Sequence, residues 1–213
     1  ELGAVYPQGT LGDIQTIVNR LNQPAKATTR TSRYDFPGFY ETYMTTLKFH
    51  HQGTLSNGTE IRPEDYGKIL SATDYQGFAD RFCTLIRAKL HEEFERLSNP
   101  RNSVILVRLP VAIENKFLSF GILGFSLRDL IKVAGVQENM KTQVITSKSI
   151  NPFDIADEAW NLSLALYVKA GGRPWRLKEI PPTSLFVGIA YSVKKDASGQ
   201  QIVSGIIHLF NTY

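Results

Sequence analysis

The chain has 213 residues, 42% hydrophobic and 21% charged, enough for one good core, or for one domain and part of another. No run approaches the roughly 20 apolar residues of a membrane-spanning helix. Cys83 is the only cysteine, which excludes an internal disulfide and a cysteine-rich zinc site and fits a reducing, cytoplasmic setting. The formal charge is +4 and the pI about 9.1, a mild pointer to a polyanionic partner. The start at Glu1, without Met or a signal-like stretch, reads as a processed, trimmed or partial chain. Basic charge is uneven: residues 101–195 hold 13 Lys/Arg against 7 Asp/Glu.

In chain order, Leu11, Ile14, Ile17, Val18 and Leu21 recur at helical spacing and predict a short helix. Residues 22–38 are polar, with two prolines, and read as a loop. Tyr43 to Phe49 is expected to be a strand, with a turn at Asn57-Gly58. Asp74 is the N-cap of the longest helical pattern, through Leu97, with Phe78, Phe82, Leu85, Ile86, Leu90 and Phe94 on one side. Ser98 to Asn102 stops it. Val104 to Pro110 is a short apolar run of the kind found in a buried parallel strand. Ser126 caps a helix to about Ala134, and Gln143 to Thr146 is a strand. Ile155 to Ala170 is a helix closed by Gly171-Gly172, which suit a left-handed cap.

Alternation of helix and apolar strand predicts an α/β layer with a mostly parallel sheet. The pattern then changes. Ser184–Val193 and Gln201–Phe210 read as a hairpin across Lys194 to Gly199. The boundary is placed near Pro181-Pro182, giving an unassigned segment 1–70, a layer 71–180, and a small unit 181–213. A lone hairpin is marginal, so that second unit is expected to be incomplete.

Four polar residues fall where such a layer could hold an anion. Arg128 and Lys132 are i and i+4 on one helix and leave the same face. Gln143 begins the next strand, and Lys169 sits in the last turn of the following helix. Arg binds phosphate bidentately and Lys adds a compact charge. Gln offers an amide donor, or a carbonyl for a hard cation. The helix N-termini are expected to add free N–H groups. Each residue also has an ordinary reading: a solvated helix face, a strand-edge Gln, a Lys stabilising a helix C-terminus.

Phe125-Ser126-Leu127-Arg128-Asp129-Leu130-Ile131-Lys132, then Met140-Lys141-Thr142-Gln143-Val144-Ile145, then Lys169-Ala170-Gly171-Gly172-Arg173-Pro174-Trp175 and Val187-Gly188-Ile189-Ala190, resembles the MID–PIWI junction of prokaryotic Argonaute proteins. The resemblance covers about residues 74–213. It implies a Rossmann-like MID layer followed by the first hairpin of an RNase H-like PIWI domain. It implies that Arg128, Lys132, Gln143 and Lys169 bind a guide 5′ phosphate, with Asn161 and Arg173 along the guide backbone. In the family a divalent cation can bridge the Gln, the phosphate and a C-terminal carboxylate, so Mg2+ at Gln143 is implied too. Arg128 stands where many members have Tyr, which keeps a phosphate donor and removes a stacking surface.

Slicing members of the family begin their metal site with an Asp in a Val-Gly-Ile-Asp strand, and here that position is Ala190. A methyl group cannot ligate a metal ion, so the expectation is an inactive, guide-binding protein of the short type. Such members imply a guide RNA, a complementary target DNA, and an associated effector subunit in defence against invading DNA. Other catalytic patterns are poor. His91-Glu92-Glu93 lacks a second zinc-spaced His, and Gly121 to Gly124 lacks dinucleotide-loop spacing. His50-His51 has no partner, and Cys83 reads as core. Trp160 and Trp175 read as core and junction packing. The competing class is an α/β enzyme or sensor for a phosphorylated small molecule. A third is an interaction module that binds no guide.

Overall fold

The computed structural model describes residues 1–28, 34–49, 59–121, 126–175, 185–195 and 201–211. Several expectations fall outside these residues: the turn at Asn57-Gly58, the Pro181-Pro182 boundary, the hairpin tip, His50-His51 and Phe125. The chain divides into two compact units, Glu1–Pro174 and Trp175–Tyr213.

The first unit is α/β. Strands β1 (Leu2–Pro7), β2 (Thr59–Ile61), β3 (Val104–Arg108) and β4 (Thr142–Ile145) form one sheet in the order β2-β1-β3-β4, with every pair parallel. Helix α1 (Leu11–Asn22) follows β1. Helices α2 (Phe39–Tyr43), α3 (Pro63–Leu70), α4 (Tyr75–Phe94), α5 (Val111–Leu118), α6 (Leu127–Gln137), α7 (Ser147–Ile150) and α8 (Ile155–Lys169) complete the layer.

Strand alternation sorts the core into two faces. Leu2, Ala4 and Tyr6 of β1 pack with Ile14, Ile17 and Leu21 of α1 and with Leu162 and Leu166 of α8. Val5, Ile105 and Val107 face the other way, onto Phe78, Phe82, Ile86 and Leu90 of α4 and Ile131 and Ala134 of α6. Helices therefore cover both faces, the usual condition for a parallel sheet.

The predicted helices at α1, α4, α6 and α8 form, as does the strand β3. Asp74 caps α4 by accepting the Gly77 N–H at 2.8 Å. The segment before residue 71 belongs to the same unit and supplies two of the sheet's four strands. The expected strand from Tyr43 to Phe49 does not form. Tyr43 ends α2 and stacks on Tyr167 with ring centroids 4.3 Å apart, and Met44 turns left-handed, with φ 51°. The segment's end alone reaches the sheet: Phe49 bridges Leu2, and Lys48 O accepts the Leu2 N–H at 2.7 Å.

β1 owes its place to a buried acid. Glu93 Oε1 accepts the Ala4 N–H at 2.8 Å, and its Oε2 accepts the Thr59 hydroxyl at 3.1 Å. β2 pairs with β1 only from Val5 onward, so Glu93 supplies the ladder acceptor that β2 is too short to provide. A Cβ on Gly3 would lie 2.7 Å from that carboxylate oxygen, which explains glycine in a strand interior.

The second unit contains the antiparallel hairpin β5 (Leu185–Lys195) and β6 (Gln201–Asn211), with Ala190 opposite Ile206. The sequence predicts this hairpin. Val187 and Ile189 are 53% and 71% exposed, because among the described residues of this unit the hairpin has no second layer.

Candidate functional site

Helix α6 begins with a capping box: the Ser126 N–H donates to Asp129 Oδ2 at 3.0 Å, and the Ser126 hydroxyl donates to the same oxygen at 2.9 Å. Ile131, Ala134 and Gly135 are its buried side. Gly135 lets the helix settle onto the start of β4: a Cβ there would meet Met140 O and Thr142 Cγ2, both at 3.0 Å. The i, i+4, i+8 row of Arg128, Lys132 and Val136 is left exposed.

Strand β4 is an edge strand, and its outward carbonyls need partners. Lys169, in the last turn of α8, donates to Thr142 O at 2.6 Å and to Gln143 Oε1 at 2.6 Å. Gln143 Nε2 donates to Val144 O at 3.2 Å. These bonds determine the amide's orientation, because an ammonium only donates and a carbonyl only accepts. Among the described residues, one N–H of Lys169 and one of Gln143 have no further partner.

Lys169 is positioned by a double-glycine cap. The Gly172 N–H bonds Tyr167 O at 2.8 Å and the Gly171 N–H bonds Val168 O at 3.0 Å, a Schellman motif, with Gly171 at φ 99°. Gly172 is tighter still, since a Cβ there would lie 2.5 Å from the Tyr167 ring.

Electrostatics tie the helices together. The pKa of Lys169 is lowered, first by burial and then by the charges of Arg128 and Lys132. The ion pairs formed among the described residues do not include Arg128, Lys132 or Lys169. Some other cations are paired: Lys89 meets Asp65 at 3.0 Å and Arg96 meets Glu92 at 2.7 Å. Like charges drawn together around a half-buried ammonium raise the free energy of the unliganded state, and an anion would lower it.

Lys169 and Gln143 thus meet at the open edge of β4, and the charges of Arg128 and Lys132 on α6 act on the same ammonium. Asn161 does not join them. It lies eight residues before Lys169 on α8, about 12 Å along the axis and about 80° around it. Its Nδ2 donates to Asp157 Oδ2 at 3.4 Å, and it lines a separate groove with Tyr34, Trp160 and Leu164. Trp160 packs edge-on against Phe36 with centroids 5.3 Å apart, as its core reading expects. Arg173 is exposed beyond the glycine cap. Trp175, read as packing, is 73% exposed.

The N-terminus of α8 is not a free anion site, because Asp154 accepts the Ala156 and Asp157 N–H groups at 2.9 and 3.1 Å. A divalent cation fits poorly too. The side-chain oxygen of Gln143 already holds an ammonium, and no group of three or more His, Cys, Asp or Glu among the described residues could hold a metal.

Two features escaped sequence reading. In open α/β sheets small ligands favour the crevice at the strands' carboxyl ends, where strand order reverses. Here that crevice lies between β1 and β3, and an ion pair between Arg108 of β3 and Asp13 of α1 bridges it. An Arg closing an apolar strand was the available signal. The other is Glu93, 2% exposed, whose signal was its place three residues after Leu90 on the buried side of α4. The Cys83 thiol pKa is pushed up by burial, which suits a packing role and opposes a nucleophilic one. Among the described residues no helix is long and apolar enough to cross a membrane. No protein-family model matches the chain, and no curated protein matches it in sequence.

Proposed function

We propose that this chain anchors the 5′-phosphorylated end of a guide nucleic acid, as an Argonaute-type MID unit joined to the start of an RNase H-like PIWI unit. The observation that carries this reading is the contact of Lys169 with Gln143 at the β4 edge, where the charges of Arg128 and Lys132 act on the same ammonium. A terminal phosphate carries close to two negative charges near neutral pH and three acceptor oxygens. It matches three cations and a spare amide N–H better than a singly charged phosphodiester does.

In this reading Arg128 grips two phosphate oxygens side by side, Lys132 and Lys169 add point charges, and Gln143 donates its second N–H. Arg173 meets the following backbone. Base pairing by the guide, RNA in this proposal, then selects a complementary DNA target. No strand is cut, because Ala190 offers no metal ligand. Destruction of the invader falls to an associated effector subunit in the cytoplasm.

The site's location supports a polymer end over an enclosed metabolite. It lies on the open flank of β4 rather than in the crevice between β1 and β3 that suits a small ligand.

The test is binding of one labelled oligonucleotide in 5′-phosphate and 5′-hydroxyl forms, as RNA and as DNA, across a salt series. The proposal expects a preference of at least about tenfold for the phosphate, equivalent to about 1.4 kcal/mol. Equal affinity for all four forms would sink it. A shallow salt slope together with tight binding of small phosphorylated compounds would favour the small-molecule reading, because a nucleic-acid backbone releases several counterions.

A further inference from the structure

We propose that phosphate anchoring at this site needs no divalent metal, because the Lys169 ammonium holds the coordination position that Gln143 would offer one. This rests on the phosphate-binding reading above and adds how the charge is neutralised.

The argument starts from a single oxygen. Gln143 has one carbonyl-type side-chain atom, and Lys169 Nζ lies 2.6 Å from it. The amide cannot turn over without breaking two bonds, because its Nε2 donates to Val144 O at 3.2 Å while its Oε1 accepts from Lys169. Lys169 cannot easily withdraw either, since the same ammonium caps Thr142 O at 2.6 Å. A hard divalent cation needs oxygen ligands at about 2.0–2.6 Å. At Gln143 Oε1 it would stand directly beside that ammonium, in a place where Arg128 and Lys132 already disfavour positive charge. No cluster of carboxylates among the described residues offsets this.

The cations already present also suffice. Lys169, Lys132 and Arg128 balance a phosphate monoester dianion with one charge to spare. A lysine has three N–H donors, and two of those on Lys169 are used, so the third is free for a phosphate oxygen.

The experiment uses the whole chain and a single-stranded oligonucleotide with and without a 5′ phosphate. The phosphate-to-hydroxyl affinity ratio is measured in EDTA, in Mg2+ and in Mn2+ at constant ionic strength. The expected ratio is large and changes less than about twofold among the three, a difference well below the 1.4 kcal/mol of a tenfold change. A ratio that collapses to one in EDTA and returns with Mg2+ overturns the inference and leaves the phosphate site standing. A ratio of one under every condition overturns both. In Lys169→Ala, Gln143 Oε1 is released, and Mg2+ is expected to restore phosphate preference in that variant only. Loss of preference in the variant with no rescue by Mg2+ would count against the ammonium standing in for a metal. The metal series on the unmodified chain decides the matter even if the variant folds poorly.

Discussion

Lys169 Nζ and Gln143 Oε1 lie 2.6 Å apart across the open edge of the sheet. Together the two side chains satisfy Thr142 O and Val144 O of β4. A bare edge would template pairing with another chain. The residues that would hold an anion therefore also finish the fold, and mutagenesis must separate the two roles.

Lys132 offers the cleaner separation. It is exposed on α6, so Lys132→Ala should leave stability within about 0.5 kcal/mol. Affinity for a 5′-phosphorylated oligonucleotide should nevertheless fall, and the log–log salt slope should shrink by about 1. Adding Lys169→Ala should deepen the loss beyond tenfold, with the helical circular dichroism signal retained. Unchanged affinity in the double variant would remove Lys132 and Lys169 from the site.

Lys169→Ala alone should change the fold's edge. It strips the acceptor Thr142 O of its donor, a loss of about 1–3 kcal/mol, offset in part by relief from Arg128 and Lys132. Urea unfolding should show a modest net destabilisation. Sedimentation should show more self-association than in Lys132→Ala, because Lys169, unlike Lys132, caps a carbonyl of the edge strand. Equal monodispersity of the two variants would argue against an edge-protecting role.

Lys169 also sets a pH signature. Its folded pKa lies below the ordinary 10.5, so between those values the unfolded chain holds more protons there than the folded chain. Stability contributed by this group therefore rises with pH through that window, and its penalty is complete below it. Phosphate affinity should move the opposite way, falling in alkaline solution earlier than a free lysine would dictate. Comparing the parent with Lys169→Met in urea unfolding and in binding, over the same alkaline series, checks both signs. Parallel profiles for the two proteins would contradict the assignment.

Glu93 and Gly3 should behave as a coupled pair. Glu93→Ala leaves the Ala4 N–H and the Thr59 hydroxyl without their acceptor, at about 2–4 kcal/mol. Gly3→Ala drives a methyl against the carboxylate and should also destabilise. In the Glu93→Ala background the second change should cost less, giving a coupling of about 1 kcal/mol or more. Burial raises the Glu93 pKa above 4.5, so below the raised value the folded chain binds the extra proton. Stability from this group then falls as pH rises through that window. A strictly additive double-mutant cycle would refute the close approach.

Much of the layer was legible because it depends on local rules. Asp74 before a long apolar period, Ser126 with Asp129 three residues on, and Gly171-Gly172 after Lys169 are capping chemistry, which needs only neighbours in sequence. The i, i+4 spacing of Arg128 and Lys132 placed both on one face for the same reason. β1 was hidden because Gly3 and Ala4 are weak strand formers, and their partners are distant in the chain: β3 on one side and Glu93, 89 residues from Ala4, on the other. β2, with three residues, is too short to show a period. The Tyr43–Phe49 segment had strand composition, yet Tyr43 closes α2 and stacks on Tyr167, and the chain beyond it is irregular up to the bridge at Phe49.

By itself, then, the sequence determined the α/β class, the main helices with their caps, and the choice of Arg128, Lys132, Gln143 and Lys169 as candidates for an anion site. Only the tertiary structure decided that Lys169 and Gln143 bond each other, that Arg128 and Lys132 bear on the same ammonium, and that Asn161 faces a different groove. Helix periodicity and capping act over a few residues, whereas these relations depend on how β4, α6 and α8 meet around one sheet edge. That meeting is set by core packing between residues far apart in the chain.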